Sequence, residues 1–261
     1  MDTTITEKQF DEERALYNLR STHVKRCIFD GPADGESALK EARNVRMTDC
    51  RFSLRYPLWH VDGFAMAGCS MDEKARAALW YTNHGTIENT VLGGIKALRE
   101  CNDVVLQRCR IDSPEFGWKC SGIRLHNCDL TAEYVFFDSR DVTLRDVRMK
   151  GKYSFQYLEN LLIEDSYLDT KDAFWHSKNV TVRNSTLKGE YLAWFSEGLT
   201  LINCTMEGTD LAFEYSDVQA DIKGSILSVK NPRSGIITAD AVGEIIFGDA
   251  VMECTGQVHI R

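Results

Sequence analysis

The sequence predicts an all-β protein, a single-stranded right-handed parallel β-helix of about twelve rungs, each of roughly 19 residues. Three observations predict it: a period of nineteen, short runs that alternate apolar and polar, and columns of residues that tolerate left-handed backbone. Stepping by nineteen from Cys109 gives Cys128, Val147, Ser166, Ser185 and Cys204, all small. Small insertions extend the column upstream through Cys27, Cys50, Cys69 and Thr90, and downstream to Ser225 and Ala250.

Each rung opens with a half-buried strand, because Ile123 and Leu125, Val142 and Leu144, Leu161 and Ile163, and Val180 and Val182 alternate with polar partners. Asp49, Gly68, Asn89, Asn127, Asp146, Asp165, Asn184 and Asn203 then stand just before the small residue, with Arg108 as the exception, and mark a sharp corner. A second such column precedes the strand: Asn44, Gly63, His84, Asp103, Gly122, Asp141, Asn160, Asn179 and Gly198. After the corner a second strand carries Leu130, Met149, Leu168, Leu187 and Met206. A third short strand carries an inward column of Leu16, Leu39, Leu58, Leu79, Leu98, Gly117, Phe136, Phe155, Phe174, Ala193 and Phe213. Crossovers between parallel neighbours are right-handed in nearly all cases, which sets the hand of the coil.

The repeat runs without a linker, so 1–261 reads as one domain, with 1–12 and 253–261 as end-capping segments over the exposed rungs. No apolar run has the length of a membrane span, and Met1 to Phe10 has neither a basic start nor an apolar middle, so the expected location is cytoplasmic. Six of the nine cysteines share the small-residue column, and Cys101 and Cys120 share another with Thr82, Ser139, Ser177 and Ser196. Such interchange fits reduced core thiols, and no spacing matches a metal site, so neither a metal nor a cofactor is expected. The net charge of −8 argues against nucleic-acid binding, which draws on clustered cations, although an acidic DNA mimic stays open.

Two outward columns are candidates for function. One reads Tyr17, Lys40, Trp59, Trp80, Arg99, Trp118, Phe137, Gln156, Trp175, Trp194 and Glu214, and holds all five tryptophans. It reads either as aromatic shielding or a partner interface, or as a platform on which sugar rings stack. Trp59, Trp80, Trp118, Trp175, Trp194 and Arg99 are the expected substrate contacts. Beside it runs His60, Tyr81, Glu100, Lys119, Asp138, Tyr157, His176 and Phe195. Glu100 and Asp138, two rungs apart with Lys119 between them, suit an inverting acid and base at roughly 9.5 Å, or else a salt-bridge ladder. Asp169, Lys171, Asp172 and His176 beside Trp175 form a second cluster, in which Asp172 and His176 suit acid-base chemistry.

The run Ser177 to Ser185, SKNVTVRNS, resembles the strand-corner signature of the pectin-lyase-like right-handed β-helices, which include pectate lyases and polygalacturonases. With Asp172-Ala173-Phe174-Trp175 and Glu190-Tyr191-Leu192-Ala193-Trp194, the chain is similar to a bacterial domain-of-unknown-function family within that group. The resemblance implies a carbohydrate-active or carbohydrate-binding protein, of glycoside hydrolase, isomerase or polysaccharide lyase type. The polygalacturonase Asn-Thr-Asp aligns only loosely with Asp169, Thr170 and Lys171, and its Asp pair and Gly-His-Gly are missing. The alternative is a non-catalytic scaffold whose aromatic stripe meets another protein, and a monomer or homodimer fits either.

Overall fold

The computed structural model describes residues 3–261. They form an all-β parallel solenoid without helix, of about 14 turns of roughly 19 residues where twelve rungs are expected. Segments read as end covers account for part of the difference. Thr3–Thr6 pairs in parallel with Thr22–Lys25, Thr3 opposite Thr22, and Gln9–Phe10 pairs with Ile28–Phe29. From Thr3 onward the first segment is therefore a rung, while residues 1 and 2 lie outside the described residues. At the other end Gln257–Ile260 continues the ladder on Ile236–Ala239.

The chain divides into two compact units, 1–132 and 133–261. In the first, Arg43–Thr48, Asp62–Ala67 and Asn83–Glu88 lie in parallel register, with Val45 opposite Phe64 and Phe64 opposite Gly85. In the second, Arg140–Arg145, Glu159–Glu164 and Lys178–Arg183 do the same through Val142, Leu161 and Val180. The alternating residues point into a dry interior: Val45, Leu106, Leu125, Leu144, Ile163 and Val182 are all buried. Like side chains stack on successive rungs, as Phe29 does on Phe52 (4.7 Å between ring centroids) and Phe155 on Phe174 (5.3 Å).

Both corner columns are left-handed at every expected position, Arg108 included, with φ of 52° there and 49° to 54° at Asp49, Asn127, Asp146, Asp165, Asn184 and Asn203. Left-handed backbone costs roughly 1–2 kcal/mol for a residue with a Cβ, and the column's polar side chains offset it. Asn184 donates to Asp165 (3.3 Å) and Asn203 to Asn184 (2.7 Å), while Asn160 donates to Asp141 (2.9 Å) and Asn179 to Asn160 (3.2 Å). Eight cysteines are buried free thiols, and Cys254 is half-buried.

The third side departs from expectation. Strand forms there only at Leu58–Trp59, Leu79–Trp80 and Leu98–Arg99. At Gly117, and at Phe136, Phe155, Phe174, Ala193 and Phe213 in the second unit, the same column is left-handed, with φ between 53° and 79°. The amide reverses with it. Leu39, Leu58 and Leu79 donate to the following rung, at Pro57, Ala78 and Ala97, whereas Phe155, Phe174 and Ala193 donate to the preceding rung, at Val135, Ser154 and Ala173. The column stays buried in both cases, except for half-buried Leu16.

Candidate functional site

All five tryptophans are half-buried, as a stripe bordering solvent requires, but their faces are used differently in the two units. In the first unit Trp59 and Trp80 stack at 5.5 Å and 11°. Lys40 Nζ lies 3.8 Å from the Trp59 ring centre, and the Arg99 guanidinium carbon 4.9 Å from that of Trp80. Lys40, Trp59, Trp80 and Arg99 are consecutive residues of one column, so each indole has a neighbour on both faces and only its edge is left for solvent. A sugar platform needs an open face, and these two indoles have none. Trp118 has Lys96 Nζ over its ring at 5.4 Å.

Glu100 belongs to the same network. It accepts from Trp80 Nε1 (3.4 Å) and Arg99 Nε (3.2 Å). Burial opposes its ionisation, but hydrogen bonds from Tyr81, Arg99 and Trp80 outweigh that and hold the carboxyl below its usual range. Such a carboxylate is a committed acceptor rather than a free base. Lys119 is exposed on the first unit and Asp138 on the second, both at left-handed corners, and the Asp138 amide donates to Gln156.

In the second unit the rings tilt. Trp175 and Trp194 meet at 57° with centroids 5.2 Å apart. His176 lies flat between Tyr157 (5.0 Å, 7°) and Phe195 (5.6 Å, 6°), and Trp194 meets it edge-on at 5.2 Å. Below this face, Arg148–Lys152, Tyr167–Lys171 and Thr186–Lys188 form parallel strands with Lys150, Asp169 and Lys188 in one row and Lys152 beside Lys171. Opposite charges alternate, and Lys188 pairs with Asp169 (3.1 Å) and Lys171 with Glu190 (3.4 Å). Lys152, Asp169, Lys171 and Glu190 line a groove of about 390 Å³ together with Gly151, Gly189 and Gly208, so part of its wall is bare backbone.

Asp172 stands beside this groove in a telling place. Its column, by steps of nineteen, is Tyr134, Tyr153, Asp172 and Tyr191, so a carboxylate interrupts a row of phenols. Trp175 spans that rung. Its ring meets Tyr153 edge-on at 6.4 Å, and its Nε1 donates to the Tyr191 carbonyl (3.0 Å). Partial burial pushes the Asp172 carboxyl above its usual range, with Lys152 and Lys171 pulling the other way and Glu190 adding to the rise. Among the described residues no cation lies within ion-pair distance of it, and Lys152, whose Nζ sits 4.1 Å from the Tyr153 ring centre, has no carboxylate partner either. A carboxyl that resists ionisation beside two ammonium groups can deliver a proton and leave its anion stabilised.

Of the second cluster read from the sequence, Asp169 and Lys171 line the groove and Asp172 follows directly after them, whereas His176 is held between the rings of Tyr157 and Phe195. Lys152, Tyr153, Glu190 and Tyr191 were not singled out, although the break in the tyrosine column was available as a signal. Among the described residues no group of three His, Cys, Asp or Glu side chains is placed to hold a metal ion.

The profile of a family described as a protein of unknown function, DUF3737, matches residues 3–211 and 197–260. No curated protein matches the sequence. Among solved structures, the chain is similar to the A-module of a mannuronan C-5 epimerase from Azotobacter vinelandii, at 9% identity and TM-score 0.39, over 100% of this chain and 89% of that one. It is also similar to a family 28 exopolygalacturonase from Yersinia enterocolitica, at 8% identity and TM-score 0.46, over 99% and 72%. None of these likenesses carries an activity to this chain.

Proposed function

The chain belongs to the DUF3737 family, and we propose that the groove of its second unit binds a saccharide and presents Asp172 to it as a proton donor. The observation that supports this reading is the partly buried, unpaired Asp172 carboxyl at the break in the tyrosine column, flanked by Lys152 and Lys171. Sugar hydroxyls find donors and acceptors in Lys152, Lys171 and Glu190 along the groove. The tilted Trp175, unlike the stacked indoles of the first unit, supplies apolar surface beside them. The reaction class is hydrolysis of a glycosidic bond, in which the C–O bond breaks as Asp172 gives its proton to the leaving oxygen and water adds to the anomeric carbon, its proton passing to solvent.

The test is titration of the full chain with neutral and acidic oligosaccharides, followed by tryptophan fluorescence, with product analysis by chromatography. Wild-type protein is expected to bind. Trp175→Ala and Lys152→Gln should each weaken binding by about 1–2 kcal/mol, whereas Asp172→Asn should retain binding and lose turnover by about 100-fold or more. Silence of the wild type toward every sugar, or full turnover in Asp172→Asn, overturns the reading and favours a scaffold that uses its aromatic edges as a protein interface.

A further inference from the structure

The first unit carries a hollow of about 510 Å³, lined by Asp34, Arg55, Glu73, Lys74, Arg76 and Ile95. It lies where the rungs carry extra residues between their second and third sides, so its wall is made of turns. Those turns are ordered by their own hydrogen bonds. Asp72 accepts from Ser53 Oγ and from the Lys74 amide (3.0 Å), Tyr56 N donates to the Arg76 carbonyl (3.2 Å), and Ser37 N donates to that of Arg55 (2.9 Å).

The local charge runs against that of the chain, since three cations line the hollow against two carboxylates in a protein of net charge −8. Lys74 and Arg76 are exposed, and among the described residues neither takes part in an ion pair. Arg55 is only partly engaged: one terminal nitrogen reaches Asp34 Oδ2 at 3.4 Å, while its Nε lies 3.8 Å from Glu36 Oε2. That Nε is buried, so a ligand in the hollow meets the half-exposed guanidinium at its terminal nitrogens.

We propose that this hollow is a site for a small ligand bearing a phosphate monoester, an oxyanion of up to two negative charges. Lys74 and Arg76 neutralise the charge, and the Arg55 fork orients the oxygens through paired donors. Asp34 and Glu73 on the same wall suit the hydroxyls of the rest of the ligand. The site is independent of the groove on the second unit.

Calorimetry on the full chain tests it, with inorganic phosphate, inorganic sulfate and acetate as probes at low ionic strength. Phosphate and sulfate should each bind saturably and weaken as salt rises, with acetate weaker by about tenfold for its single charge. The double variant Lys74→Gln/Arg76→Gln alters only exposed side chains, so its melting temperature should stay at the wild-type value while affinity drops by at least about tenfold. Lys152→Gln, on the other groove, should bind phosphate as the wild type does. The proposal falls if neither phosphate nor sulfate binds saturably, if the double variant binds as tightly as the wild type, or if Lys152→Gln alone abolishes binding.

Discussion

On the third side of the first unit Leu39, Leu58 and Leu79 send their amides forward to the next rung, and on that of the second Phe155, Phe174 and Ala193 send theirs back. Both arrangements bury the same column, and each occurs on a step of nineteen residues, from Leu39 to Leu58 and from Phe155 to Phe174. The difference teaches that rung length does not decide the path of the chain at this side. Within a stack, a reversed amide requires its neighbour to reverse as well, or an N–H faces an N–H, so the flipped form is held by the ladder rather than by each residue's preference. Gly117 takes the flipped form without a Cβ, and each phenylalanine takes it at a cost offset by the amide bond and the ring stack. Two pairs of tryptophans follow the same division, Trp59 and Trp80 stacked with cations where the side is strand, Trp175 and Trp194 tilted where it is turn.

The largest effect expected is loss of one unit at a time. Leu125→Asp in the first and Leu144→Asp in the second each bury an unpaired charge and should cost more than about 4 kcal/mol. Hydrogen exchange of the residual folded protein shows whether the damage stays in its own unit, and unchanged circular dichroism and melting would show the inward assignment to be wrong.

Next comes the pair of indoles. Trp59→Ala removes a ring with neighbours on both faces and should cost about 2–3 kcal/mol in urea denaturation, against about 1 kcal/mol for Trp175→Ala. Equal costs would erase the distinction between stacked and tilted stripes. Smaller again is Ala193→Gly, which relieves left-handed strain in the second unit and should be neutral or stabilising by up to about 1 kcal/mol. A clear loss of stability there would mean that the flip is not a matter of φ.

The two carboxylates give the smallest effects, each under about 1 kcal/mol after solvent screening, with opposite dependence on pH. Glu100 is held below its usual range in the folded state, so its contribution is present above the unfolded value and disappears as pH falls through the folded one. Glu100→Gln should therefore destabilise at neutral pH and converge on the wild type in acid. Asp172 is raised, so folding carries no penalty below the unfolded value near about 3.9 and a growing one as pH rises through the folded value. Asp172→Asn should melt with the wild type in acid and above it at neutral pH. Parallel profiles for the two variants would remove the electrostatic contrast.

The first two strand columns and both corner columns were legible, because a left-handed corner admits few residues cheaply and each rung repeats the demand. Even Arg108, an exception by residue type, keeps the geometry its column dictates. The amide reversal was not legible, since leucine and phenylalanine are both large and apolar and the column pattern records only burial. The strand pairing of Thr3–Thr6 was not legible because this segment carries the spacing with weak apolar content. Of the sites, the Asp172 cluster could be found from charged residues close in sequence. Arg55, Lys74 and Arg76 could not, because insertions of unequal length bring them together out of register.

The thiol column makes the molecule a recorder of its own opening. Seven buried cysteines, Cys27, Cys50, Cys69, Cys101, Cys109, Cys120 and Cys128, lie in the first unit and one, Cys204, in the second. A buried thiol is inert to alkylation until its rung opens, since reaction needs both access and the thiolate. Half-buried Cys254 should be labelled first, as the calibrating event. The order in which mass spectrometry then finds the others modified is the order in which the coil comes apart, written into the chain without any introduced probe.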